Sequence, residues 1–323
     1  MRLIDSLANI GLPRYLSAEE FLHVMDDNEV EAAIVSATPA CADLGELSRA
    51  ALRYGDRLRV VGTVFGGSAS ERKDCVLAQI NAGFAGVHLP EEVVAEEPDL
   101  LDLIGNTGTV PFVTSPSGLQ LAARALASYL ERFPQAIVCS PGFGGVAEPE
   151  ALQIETVARL FSHPRFFVIF SGQGAYEREP LKKWAKAVVQ AIGWSRVLWG
   201  SDFPQCLWRG ESYISTTVWV DKIGLDPSAD ERDLFFWRNT RRVLFDRGQT
   251  HPQPLVIRWC QTLQPDRALR VSLFPNSPID LPEGAQHALL AAYLNRSGPG
   301  SYRDFVAEQL TDAARRLGTG EKR

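Results

Sequence analysis

Short runs of consecutive apolar residues alternate along this chain with longer stretches in which apolar positions recur every three to four residues. The first pattern is that of strands buried on both faces, the second that of helices with one apolar stripe. Eight apolar runs stand at 2–5, 32–37, 58–64, 86–89, 110–114, 136–140, 166–171 and 196–202. Phe166-Phe167-Val168-Ile169-Phe170 has no polar position at all, as expected of a strand covered on both sides. Between the runs lies about one helix of amphipathic sequence each time. Ser17-Ala18-Glu19-Glu20 sets an acid three residues after a serine, the capping-box pattern that opens a helix. Residues 117–133 read as one long helix rich in Leu and Ala; Pro149 opens another at its first turn and Pro164 follows its end. Eight strand–helix units predict an α/β chain folded as a (β/α)8 (TIM) barrel, with its site at the carboxyl ends of the strands.

The repeat stops near Arg247. Residues 249–253 read as a polar, proline-containing linker, followed by an apolar run at 255–260, another at 268–274, and helical stretches at 284–294 and 302–317. The expected organisation is a barrel domain over 1–248 and a small C-terminal α+β extension over 254–317, with a disordered tail at 318–323.

Composition narrows the function classes. The 323 residues are 45% hydrophobic, enough to bury a large core, and the net charge of -6 with scattered basic residues excludes nucleic acid and anionic membrane as main partners. No apolar stretch approaches a membrane span of about 20 residues, and the N-terminus carries no signal-peptide pattern, so a cytoplasmic protein is expected. Five dispersed cysteines (Cys41, Cys75, Cys139, Cys206, Cys260) form no C-x-x-C pair and predict reduced thiols, not a disulfide framework or a thiolate metal site. The glycines at 142, 144 and 145 and at 172 and 174 lack the spacing of a nucleotide-binding fingerprint.

The motif with most chemistry in it is Arg196-Val197-Leu198-Trp199-Gly200-Ser201-Asp202-Phe203-Pro204, an apolar strand ending in Gly-Ser-Asp-Phe-Pro. It resembles the last barrel strand of the amidohydrolase-related family, and Phe235-Phe236-Trp237-Arg238-Asn239-Thr240-Arg241-Arg242-Val243-Leu244-Phe245 resembles the family's barrel-closing helix. The resemblance spans roughly the first 247 residues. It implies a site in which a divalent metal, or the strand-eight Asp acting as base, activates water; the usual ligands are two histidines of strand one, one each from strands five and six, and that Asp. In this chain Ile4-Asp5-Ser6-Leu7-Ala8-Asn9-Ile10 puts Leu7 and Asn9 where the His-x-His stands, Thr114 ends strand five, and Gly142 of Gly142-Phe143-Gly144-Gly145 takes the strand-six position. Only Asp202 remains. One carboxylate does not hold zinc against solvent, so no metal and no other cofactor is expected.

The candidates for a metal-free site are strand-end groups. Asp202 and His88 are the expected catalytic pair: Asp202 stands at a catalytic position of the fold, and His88 ends strand four as the only imidazole near the mouth. Arg209, Thr114, Ser140, Tyr176 and Asn9 are the expected substrate-binding groups, with Arg209 suited to a carboxylate. Asp5, at the end of the first run, is expected to support loop hydrogen bonds more than catalysis. Ser115, Ser117, Ser171, Gln173, Gln205, Cys206 and Trp208 are further mouth residues, Cys139 reads as a small buried hydrophobe, and His23, His163, His251 and His287 stand away from the mouth.

Three readings follow. The first is a metal-independent hydrolase or lyase acting on a small carboxylated metabolite, with Asp202 as general base; it is similar to the pyrone dicarboxylate lactonases, which implies arginines for carboxylates. The second is a catalytically silent barrel that supports an active partner enzyme through the C-terminal extension; under any of the readings the resemblance implies a homodimer as the default assembly. The third is a binding protein for a carboxylated ligand in the same pocket. Fold alone does not separate them.

Overall fold

The structure is a computed structural model and describes residues 1–11, 14–37, 43–247, 269–274, 277–281, 285–296 and 302–318. Eight strands, β1 (Leu3–Asn9), β2 (Val30–Ser36), β3 (Leu58–Thr63), β4 (Gly86–Pro90), β5 (Val110–Thr114), β6 (Val138–Ser140), β7 (Phe166–Phe170) and β8 (Val197–Trp199), pair in chain order. Every neighbouring pair is parallel. The ring closes just past β8: Ala8 bridges to Phe203, the Asn9 amide donates to the Phe203 carbonyl at 2.6 Å, and the Asp202 amide to the Leu7 carbonyl at 2.9 Å. This is the expected (β/α)8 barrel.

Period-two alternation sorts each strand between two apolar layers. In β7, Phe166, Val168 and Phe170 pack outward under the helices, whereas Phe167 and Ile169 point into the barrel with Ile4, Ile34, Val61, Phe112 and Leu198. Val243, Leu244 and Phe245 plug that interior from the end opposite the strand termini. They come from the expected closing helix, which is built of wide π-helical turns at Leu234–Arg238 and Arg241–Phe245. Between them Asn239 is fully buried, and its Nδ2 donates to the Trp194 and Val197 carbonyls at 2.7 and 2.9 Å, pinning the helix to the entry of β8.

Local signals act where the sequence places them, with exceptions at left-handed backbone. Ser17 caps the helix Ala18–Asp27 with both halves of the capping box present. The long helix expected over 117–133 begins only at Ala123 and ends at Arg132, because Gly118 (φ +77°) and Leu119 (φ +62°) turn left-handed ahead of it. Pro149 opens a separate short 3-10 turn, Pro149–Gln153, before the helix Glu155–Ser162.

Beyond the barrel, an antiparallel hairpin of β9 (Leu269–Phe274) and β10 (Ser277–Leu281) precedes two helices, Ala285–Leu294 and Tyr302–Gly318. Leu290, Phe305 and Val306 are buried in the outer apolar layer, and the last helix touches the short helix Gln205–Trp208 that follows β8. The anticipated linker at 249–253, the apolar run at 255–260, and Cys41, His251 and Cys260 lie outside the described residues, as do 319–323 of the anticipated tail.

Candidate active site

A cavity of about 280 Å3 opens at the carboxyl ends of the strands. Six of the seven anticipated site residues line it: Asn9 from β1, His88 from β4, Thr114 from β5, Tyr176 after β7, and Asp202 and Arg209 after β8. Ser140 does not. Its side chain is fully buried and its hydroxyl donates to the Val113 carbonyl at 2.7 Å, so it ties β6 to β5 instead of facing the cavity.

Asp202 sits on a strained corner. Its φ of +55° is left-handed, unusual for a residue with a side chain, and the Leu7 carbonyl and Cys206 amide hold the turn on either side. The residue is 8% exposed, and its carboxylate accepts from Arg209 Nη1 at 2.6 Å. Burial pushes its pKa above the ordinary carboxylate value, and this outweighs the opposing pull of Arg209 and of a hydrogen bond from Asn9. Arg209 is further steadied by a long 3.3 Å contact from Nη2 to Gln205 Oε1, while Gln205 donates to the Tyr15 hydroxyl. Residues 205–208, expected at the mouth, form a short helix that leads into this arginine.

Gly172, which its spacing alone marks only as a turn, is a working part of the site. Its φ is +69°, and a Cβ there would stand 3.1 Å from Asp202 Oδ2 and 3.4 Å from Arg209 Nη1. A side chain there would strain the left-handed backbone and press on the ion pair. Gly142 (φ +62°) has the Tyr176 hydroxyl 3.2 Å from its would-be Cβ, and that hydroxyl makes a long 3.4 Å contact to the Gly142 carbonyl. Burial, and then the Asp202 charge, raise the Tyr176 pKa, so it enters as a neutral hydroxyl.

His88 packs edge-on against Phe112 and hydrogen-bonds the Phe112 backbone. Desolvation lowers its pKa to about 4, so at neutral pH it is an uncharged imidazole able to donate or accept one hydrogen bond. Several hydroxyls of the lining are already committed. Ser36 bonds Asn9 Oδ1 at 3.2 Å, Ser115 donates to the buried Glu91 at 2.6 Å, and Ser171 accepts from the Gly142 amide at 3.1 Å. Gln173 faces away and donates to Glu211 at 2.7 Å. Burial raises the pKa of Glu211, which is a neighbour of the ion pair that its sequence context does not flag. Cys139 and Cys206 are fully buried, and desolvation raises both thiols.

Asp5 lies inside β1, not at its end. It is fully buried below the cavity, accepting from Ser201 Oγ at 2.5 Å, the Tyr213 hydroxyl at 2.6 Å, the Ser201 amide at 2.9 Å and the Leu7 amide at 3.0 Å. Four donors on one carboxylate lock β1, β8 and the following loop together. Burial nevertheless raises its pKa to about 6. Tyr213 has no sequence signal; it finds Asp5 only through the fold.

A divalent metal at these strand ends would need neutral imidazoles and carboxylates converging on one point. Leu7 and Gly142 offer no donor, Asn9 is engaged with Ser36 and the Phe203 carbonyl, and Asp202 already faces a guanidinium. Among the described residues no group of three His, Cys, Asp or Glu side chains is placed to hold a metal ion. The donor set does not fit a resident metal.

Solved structures share this architecture. A probable 2-pyrone-4,6-dicarboxylic acid hydrolase from Acinetobacter baumannii, with citric acid bound, is similar at TM-score 0.57 and 15% identity, over 76% of this chain and 99% of that one. An amidohydrolase from Burkholderia multivorans with bound HEPES gives 0.56 and 18% over the same shares. The 5-carboxyvanillate decarboxylase of Sphingomonas paucimobilis gives 0.54 and 14%, over 75% and 98%. A comparison with curated proteins finds no match. Among the described residues no helix is long and apolar enough to cross a membrane. The amidohydrolase family profile matches residues 6–245, most of the chain and nearly the whole barrel, and the chain belongs to the amidohydrolase-2 family.

Proposed function

We propose that this barrel is a metal-independent hydrolase or lyase for a small carboxylated metabolite, with Asp202 as general base. The observation behind this reading is the buried Asp202–Arg209 pair at the strand ends, a base of raised pKa beside a cation. The Nη2 edge of Arg209 is only weakly engaged and can take a substrate carboxylate. As it does so, Asp202 loses part of the charge that opposes its basicity, so binding of the correct substrate strengthens the base. Asp202 then accepts a proton from water or from the substrate, and the neutral His88 on the β4 wall hydrogen-bonds the oxygen on which charge develops. The 2,6-dihydroxybenzoate bound in a decarboxylase of the same fold makes a small carboxylate the natural first ligand to try.

The missing donors at Leu7 and Gly142 also support a second reading, a silent barrel retained as the partner of an active enzyme. One experiment separates them. Purified protein is screened by chromatography for turnover of aryl and alkyl carboxylates, lactones and amides, and each hit is repeated with Asp202→Asn. Loss of about 10²- to 10⁴-fold in rate with retained fold is expected of a general base. Full activity in Asp202→Asn ends the role of Asp202, and no turnover of any compound favours the silent barrel.

A further inference from the structure

Resting on the reading above, we infer that the cavity selects substrates with a single carboxylate on a neutral body and excludes dicarboxylates. Among the described residues that line it, two carry charge, Asp202 and Arg209, and they sum to zero. No lysine and no second arginine is among those described lining residues. His88 adds no positive charge at neutral pH, since burial holds it near 4. The distribution is lopsided. Asp202, Arg209 and Tyr176 stand on the β7–β8 side, whereas His88, Pro90 and Thr114 make a neutral wall at the ends of β4 and β5.

One carboxylate therefore has one seat, against Arg209 and Tyr176. A second would lose its water against a wall with no cation and would add to the negative charge of Asp202 in a site of low polarisability. The body is small as well. At about 280 Å3 the cavity lies just under the usual range for small-molecule pockets, roughly 300–1,000 Å3, so it holds an acid of about one ring. Leu7, Ala37, Pro141 and Ala175 give that ring an apolar lining.

The test is calorimetric titration of the full chain with benzoate and with isophthalate, which differ by one carboxylate. Benzoate is expected to bind saturably and at least about tenfold more tightly than isophthalate, a difference of about 1.4 kcal/mol. Arg209→Met is expected to lose benzoate binding. Should that variant fail to fold, Tyr176→Phe is expected to weaken benzoate about three- to tenfold, the effect of one hydrogen bond. Equal or tighter binding of isophthalate overturns the inference. So does the absence of binding by either acid, or a variant that binds benzoate as the parent does. Turnover in Asp202→Asn speaks to the base alone and the benzoate-to-isophthalate ratio to the charge of the cavity, so either idea can fail without the other.

Discussion

Replacing Arg209 by Met leaves Asp202 as an uncompensated charge in a site where it is 8% exposed. Breaking a fully buried pair costs about 3–5 kcal/mol because of the charge left behind. Here the Arg209 side chain keeps 24% of its exposure and the Asp202 side chain 12%, and the orphaned carboxylate can escape by taking a proton, so about 2 kcal/mol is expected near pH 8. The sign with pH follows from linkage. Removing Arg209 raises the folded-state pKa of Asp202 further above its unfolded value of about 3.9, so the penalty is complete above the folded pKa. It shrinks as pH falls through the folded pKa, because protonated Asp202 needs no cation. Asp202→Asn instead strands the arginine, which does not titrate, and its cost of about 1–2 kcal/mol shrinks as pH rises through the folded pKa of Asp202, because the variant also loses the buried carboxylate whose ionisation weakens the parent. The double variant should cost less than the sum of the two by about 1 kcal/mol or more. Denaturant unfolding of the four proteins at about pH 5 and about pH 8 measures all of these. A cost for Arg209→Met that does not change with pH, or strict additivity in the double variant, would refute the claim that the two groups form one buried electrostatic unit.

Other outcomes follow from the same geometry. Asp5, raised to about 6 by burial, should make stability fall as pH rises from about 4 to about 6, by about 3 kcal/mol in all; Asp5→Asn should flatten that portion of a thermal-unfolding pH series. Gly172→Ala forces a side chain into left-handed backbone 3.1 Å from the Asp202 carboxylate and should cost about 1–2 kcal/mol while weakening ligand binding at Arg209, read by calorimetry. Asn239→Ala strands the two buried carbonyls of Trp194 and Val197 and should lower stability by about 2–3 kcal/mol in denaturant unfolding, with no change in ligand affinity for protein that remains folded. If His88 works as a neutral imidazole, the acid limb of the rate profile should show no step near pH 6.5, and a step there would restore it as a proton donor.

The barrel was legible in the sequence because its signal is repeated eight times and each run is long enough to be apolar on both faces. The limits of the strands were less so: β1 continues to Asn9 through Ser6 and Ala8, and an apolar count stops at Asp5. That one shift moves Asp5 from the mouth to the layer beneath. At the site, the family resemblance was enough to find Asn9, Thr114 and Asp202, strand-end position to find His88, and loop position to find Tyr176 and Arg209. It misplaced Ser140, whose hydroxyl turns to a neighbouring strand, since a sequence does not say which way a three-residue strand presents its last side chain. Gly172, Glu211 and Tyr213 were illegible because their importance lies in contacts between segments far apart in the chain. The pKa of His88 likewise depends on the walls around it and on nothing in its own motif.

The left-handed backbone at Gly142 bears on the history such a chain can have. A histidine placed there would carry its side chain on a φ of +62° with its Cβ 3.2 Å from the Tyr176 hydroxyl, so substitution alone does not bring an imidazole back to the end of β6. The peptide would have to rotate and Tyr176 withdraw, and Arg209 would have to release Asp202 before that carboxylate could face a metal. Each step is unfavourable until the others are complete. A metal site at these strand ends therefore requires several coordinated changes, not one substitution.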